Sequence, residues 1–202
     1  MRKQLTLLTA LLVLVLSCSE PRRTNLQDKK PQSQATPSPA ESATPFAQPM
    51  KELRDKLLTS SPEEIGLSGE DAKAKVWGVM MEIPIAEAVG TIVSIRDGTA
   101  SLYGSTGGGI IGGYSAREQA KQFVAEAEKH LAKMKPTKSF PYPNIGRIKF
   151  YVLTRDGVYS AEADQNELVG GQHALSPLFR AGNIVVTGLR TATERAKPSA
   201  KP

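Results

Sequence analysis

Two histidines, one cysteine and a run of glycines are the features of this 202-residue chain that could carry chemistry. His173 lies in a Gly-Gly-Gln-His loop three residues before Ser176. A serine beside an imidazole, with Asp156 or Asp164 to orient the ring, would make an acyl-transfer nucleophile. No G-x-S-x-G elbow accompanies them, and Ser176 followed by Pro177 equally predicts a helix N-cap. His130 sits at the edge of an apolar helical face and reads as a boundary residue. Asp97 and Asp156 each precede a glycine and read as turn residues.

The glycine run Gly107-Gly108-Gly109-Ile110-Ile111-Gly112 satisfies G-x-G-x-x-G. It follows a predicted strand and precedes a predicted helix, whose free N–H groups could receive an anion. That strand is the second arm of a hairpin, not the opening strand of a βαβ unit. No acidic residue ends a next strand about 20 residues on. A phosphate lysine of the G-x-x-x-x-G-K-[ST] kind is also missing. The run reads first as a flexible or bulged connection; Gly107, Gly108, Gly109 and Gly112 remain candidates for a ligand or partner loop. Two distant histidines and scattered carboxylates do not make a zinc or calcium set, so neither a metal nor a cofactor is expected.

Cys18 has a different context. Arg2 and Lys3 open the chain, and the uncharged run LTLLTALLVLVL follows from Leu5 to Leu16. Twelve residues match the core of a secretory signal. A membrane-spanning helix needs about 20. Ser17 then precedes the single cysteine, which cannot form an internal disulfide. Val15-Leu16-Ser17-Cys18 resembles the lipobox of bacterial lipoproteins. The resemblance covers residues 1–18 and implies diacylglyceryl transfer to the Cys18 thiol, cleavage before it, and acylation of the new amino group. By resemblance to enterobacterial sorting, Ser19 in place of aspartate implies the outer membrane, facing the periplasm, in a two-membrane organism.

Residues 18–49 have linker composition. PQSQATPSPAESATPFAQP holds five prolines and little apolar surface, too little to offset the entropy of ordering. Residues 191–202, rich in Ala, Lys and Pro, predict a disordered basic tail. The net charge of +6 divides as +2 in residues 1–17, +1 in residues 18–49, +1 in residues 50–190 and +2 in residues 191–202. Residues 50–190 carry 17 basic and 16 acidic groups. The folded part therefore lacks the electrostatic footprint of a nucleic-acid binder.

The elements that must position any site lie in residues 50–190, the size of one domain. Met50, Leu53 and Leu57 predict a short helix, and Ser61-Pro62-Glu63-Glu64 a second helical turn with a capping box. Val76–Ile83 predicts a strand stopped by Pro84. Thr91–Ile95 and Thr99–Tyr103 flank Arg96-Asp97-Gly98, and Ile148–Thr154 and Val158–Ala163 flank Arg155-Asp156-Gly157, so two hairpins are expected. Between them, Ser115-Ala116-Arg117-Glu118 predicts a capping box. Ala116, Ala120, Phe123, Val124, Ala127, Leu131 and Met134 then form one helical face, ended by Pro136. Gln165–Val169 predicts one helical turn closed by Gly170-Gly171, Ser176-Pro177 starts another, and Ile184–Leu189 predicts a last strand. Phe140-Pro141-Tyr142-Pro143 either packs over the sheet or presents a partner surface.

The expectation is an α+β domain with a mainly antiparallel sheet of five or six strands and one long packed helix. Its order loosely resembles roadblock and profilin-like folds, which bears on topology alone. The functional expectation is a membrane-anchored, non-enzymatic binding or interaction module, held through lipidated Cys18, with a protein partner or a homodimer as its contact. The alternative is a small periplasmic hydrolase or ligand-binding enzyme using His173 and Ser176 near the Gly107–Gly113 loop.

Overall fold

The computed structural model describes residues 47–196. The expected signal, Cys18 and most of the expected linker lie outside the described residues. The fold is α+β. Its seven strands are β1 (Val76–Ile85), β2 (Ala88–Ile95), β3 (Ala100–Gly104), β4 (Gly109–Gly113), β5 (Lys135–Thr137), β6 (Arg147–Thr154) and β7 (Gly157–Asp164). They form one antiparallel sheet in the order β4-β3-β2-β1-β6-β7-β5. The helices are α1 (Gln48–Thr59), α2 (Gly69–Lys73), α3 (Arg117–His130), α4 (Gln165–Val169) and α5 (Ser176–Ala196).

Both predicted hairpins form, and for the expected reason. Gly98 and Gly157 take φ of 95° and 120°, a region closed to most side chains. The strand predicted to stop at Pro84 instead runs through it to Ile85 and turns back into β2. Pro84 is tolerated because β6 pairs with β1 only as far as Glu82, leaving that end at an open margin.

Alternation along the strands makes two cores. Val79, Met81, Ile92, Ile148, Phe150 and Val152 face α3 and α5. Met80, Val93, Ile95, Tyr151 and Leu153 face the segment carrying α1 and α2. A bulge between Val76 and Gly78 brings Trp77 to this second face. Because both faces are covered, β1 is buried from Val76 to Glu82, and its sequence is uncharged and almost wholly apolar as far as Met81.

Ile184–Leu189 is not a strand: it lies inside the 21-residue helix α5. Leu178, Val185 and Leu189, fully buried, recur at i, i+7 and i+11, a helical period. Gly182 sits against Met81 and Phe123, and Gly188 against Ala116, so the helix approaches its neighbours closely. Helix occupies residues 191–196 of the expected tail, and α1 begins at Gln48, ahead of residue 50. Ser115 does not cap α3, whose N-cap is Ala116 without a side-chain bond. The Ser61–Glu64 capping box forms reciprocally but closes a turn rather than a helix. No described helix is long and apolar enough to cross a membrane.

Candidate functional site

Strand register lays a polar row across the second face. Tyr103 stands opposite Thr91, Thr91 opposite Glu82, Glu82 opposite Lys149, and Lys149 opposite Glu162. Helix α1 supplies the counter-charge from above. Its buried stripe places Arg54 one turn before Leu58, and the two are equally buried. The Arg54 guanidinium donates from Nε to Glu82 Oε1 at 2.5 Å and from Nη2 to Oε2 at 3.0 Å. Tyr142 stacks over it at 4.1 Å and Tyr151 lies at 5.5 Å. Lys149 pairs instead with Glu162 at 3.2 Å, joined there by Arg147.

Burial pushes the Glu82 carboxyl up, and the Arg54 hydrogen bonds and charge only partly oppose this. Burial would lower the Arg54 pKa, but Glu82 overcomes it and holds the guanidinium above its ordinary value. The pair is a fixed, two-point clamp between α1 and β1.

Beside this clamp a cleft of about 340 Å³ opens between α1 and strands β2 and β3. Leu53 and Leu57 form one wall, Ile65 and Leu67 the end, and Val93, Ile95 and Tyr103 the floor. The Tyr103 hydroxyl is buried without a hydrogen-bond partner. Burial pushes its pKa up, and the nearby Glu82 charge adds to this. The acids at the rim are already engaged. Asp97 accepts from Thr99 N at 2.7 Å, Thr99 Oγ1 at 2.8 Å and Tyr114 Oη at 3.0 Å, while Glu64 accepts from Ser61 N at 2.7 Å. The cleft offers apolar contact area with its rim carboxylates held by the fold.

The residues singled out by sequence are not gathered at this cleft, apart from Asp97. His173 Nδ1 accepts from Leu175 N at 3.1 Å, and Ser176 Oγ donates to the Glu167 carbonyl at 3.4 Å. Asp164 caps α4 through Asn166 and Glu167 N–H groups, and Asp156 sits in the turn at the other end of β7. His130 is buried, with Nε2 3.0 Å from Glu126 Oε1. The glycine run is not a strand-to-helix connection. Gly107 and Gly108 turn β3 into the edge strand β4, which contains Gly109 and Gly112. A side chain at Gly109 would strike the Leu102 carbonyl and Tyr103, so close packing requires this glycine. This edge and the β7 side, where α4 leads to His173, are separated by five strand spacings, roughly 24 Å. Phe140-Pro141-Tyr142-Pro143 packs over the second face: Phe140 meets Tyr151 edge-on at 5.8 Å, and Tyr151 Oη donates to the Pro141 carbonyl at 2.6 Å.

No local motif singles out Arg54, Glu82 or Tyr103. Their signals were available: an arginine inside the Met50–Leu58 apolar stripe, and a glutamate closing a buried strand. Among the described residues no three His, Cys, Asp or Glu side chains gather as metal ligands. No family model, no curated protein and no solved structure matches the chain.

Proposed function

We propose that this chain is a lipid-anchored, non-enzymatic binding module of the cell envelope that holds an apolar ligand in the cleft beside α1. The observation that carries this is the cleft itself: apolar walls over a floor that includes Tyr103, and rim carboxylates occupied by backbone and hydroxyl donors. Its volume lies at the small end of the roughly 300–1,000 Å³ typical of ligand pockets. That suits a medium-length aliphatic chain or two to three aromatic rings. The anchor rests on the run Leu5–Leu16 followed by Ser17-Cys18.

Titration with the neutral fluorophore N-phenyl-1-naphthylamine tests the cleft, with lauric acid as competitor. Saturable, competable binding is expected, and it is lost in Val93→Trp. Fluorescence indistinguishable from buffer would sink the ligand reading. Intact-mass analysis of the membrane fraction tests the anchor: a diacylglyceryl mass on Cys18 is expected, and Cys18→Ala releases the chain. The hydrolase alternative would instead require turnover of p-nitrophenyl esters that disappears in Ser176→Ala.

A further inference from the structure

The first described residue stands at one end of the sheet. Ala47 N donates to the Ser105 carbonyl at 2.8 Å, and Ser105 exchanges backbone and side-chain hydrogen bonds with Val89. Val89 is opposite Pro84, and the next pair, Ile85 and Ala88, closes the β1–β2 hairpin. The described chain therefore begins, at Ala47, beside that turn.

The same end carries exposed aliphatic side chains. Ile85, at the tip of β1, is 60% exposed. Ile145, two residues ahead of β6, is 85% exposed, and Val169 in α4 is 66% exposed. Strands β1, β6 and β7 are adjacent. Glu82 pairs with Lys149, so the β1 tip and the entry to β6 project from the same margin. The Gln165 N–H at the start of α4 donates to the Gly146 carbonyl at 2.9 Å, which ties α4 beside Ile145. The Arg96–Gly98 and Arg155–Gly157 turns occupy the opposite margin.

We propose that this margin, presenting Ile85, Ile145 and Val169, is a docking surface for the bilayer to which the chain is tethered. The proposal rests on the lipid anchor of the preceding section. A tether joined beside the patch keeps it at high effective concentration near the membrane, so even shallow insertion of a few aliphatic groups suffices. Glu87 lies in the β1–β2 turn, and Arg147, the basic side chain at the entry to β6, is paired with Glu162. The attraction is therefore apolar contact rather than a pull on anionic headgroups. Docked this way, the chain holds the hairpin turns at Asp97 and Asp156 away from the bilayer, and the cleft end lined by Ile65 and Asp97 faces outward.

Hydrogen exchange on a chemically tethered chain tests this. The chain from residue 18 onward is coupled through Cys18, its single thiol, to maleimide lipid in phosphatidylethanolamine–phosphatidylglycerol vesicles. Amides of residues 85–88 and 144–146 are expected to exchange several-fold more slowly than in the uncoupled chain, while residues 155–157 are unchanged. Replacing both exposed isoleucines, Ile85→Ser and Ile145→Ser, weakens docking about tenfold or more and removes the protection. Equal exchange with and without vesicles, or protection that survives the double substitution, overturns the proposal. Because the anchor is supplied chemically, absence of natural lipid on Cys18 is a separate result, read from the mass of the cell-derived chain.

Discussion

Arg54 and Glu82, 28 positions apart, meet in a two-point ion pair whose side chains are 2% and 0% exposed. One comes from the first helix and the other from the central strand, so the pair fixes where α1 lies on the sheet. The floor of the cleft, Tyr103, stands two strands away on the same row. The clamp and the candidate site thus share one layer of side chains, and loss of the clamp should loosen the wall that α1 contributes.

Arg54→Met leaves a buried carboxylate with no guanidinium against it. Breaking such a pair costs about 3–5 kcal/mol, whereas replacing both members by apolar residues is often near neutral. Urea unfolding should therefore rank Arg54→Met as less stable than Arg54→Met combined with Glu82→Leu. If the double variant loses the sum of the two single losses, the clamp contributes no coupling.

The pH dependence of these variants has a defined sign. Glu82 titrates above its ordinary value in the folded chain. Its favourable contribution is present at acid pH and fades as pH rises through that raised value. Arg54→Met removes the hydrogen bonds and charge that most oppose the shift, leaving only the weaker pull of Lys149, so the variant should gain stability relative to the native chain as pH falls from 7 toward 5. Glu126 behaves oppositely. The Lys129 hydrogen bond draws its carboxyl down, burial opposes this, and His130 assists. Its contribution is present above the ordinary value of 4.5 and is lost as pH falls through the lowered one. Thermal unfolding of Glu126→Gln against the native chain should differ at pH 6 and converge below pH 4. A gap that is constant across this range would contradict the assignment.

Both Asp-Gly hairpins were legible because their turns require a backbone conformation that glycine supplies cheaply. The β1–β2 hairpin was not. Its turn puts Ala86 at φ 51°, and alanine gives no turn signal. The strand expectation at 184–189 comes from Ile184, Val185, Val186 and Thr187, which are β-branched, with Gly188 after them, yet they lie inside helix α5. Tertiary packing against Met81, Phe123 and Ala116 outweighed that weak local preference. The short strand β5 was hidden by Pro136, which an edge position tolerates. At the candidate site the residue types were visible, but the row Tyr103–Thr91–Glu82–Lys149 exists only through register, which no local pattern carries.

That account of α5 makes a prediction about its glycines. At an open helical position, glycine to alanine gains up to about 1 kcal/mol. At Gly182 a Cβ would meet Met81 Sδ and sit 3.1 Å from Phe123 Cζ. Gly182→Ala should gain nothing, and Gly182→Val should lose about 1–3 kcal/mol through overpacking. Equilibrium unfolding checks both. A stabilised Gly182→Val would mean that α5 does not lie this close to the sheet.

Leu53 offers the cleanest separation of cleft from fold. It lines the cleft from α1 yet is only partly buried, so enlarging it fills space that the native packing leaves open. Leu53→Trp should change stability by less than about 1 kcal/mol, as expected away from a filled core. It should weaken N-phenyl-1-naphthylamine binding at least tenfold, because the indole occupies the volume that the probe would take. The stability measurement makes the binding result interpretable: a variant that unfolds at the native urea midpoint and no longer binds has lost the cleft alone. Unchanged binding in a folded Leu53→Trp chain would place the probe elsewhere and withdraw the site from the α1 face.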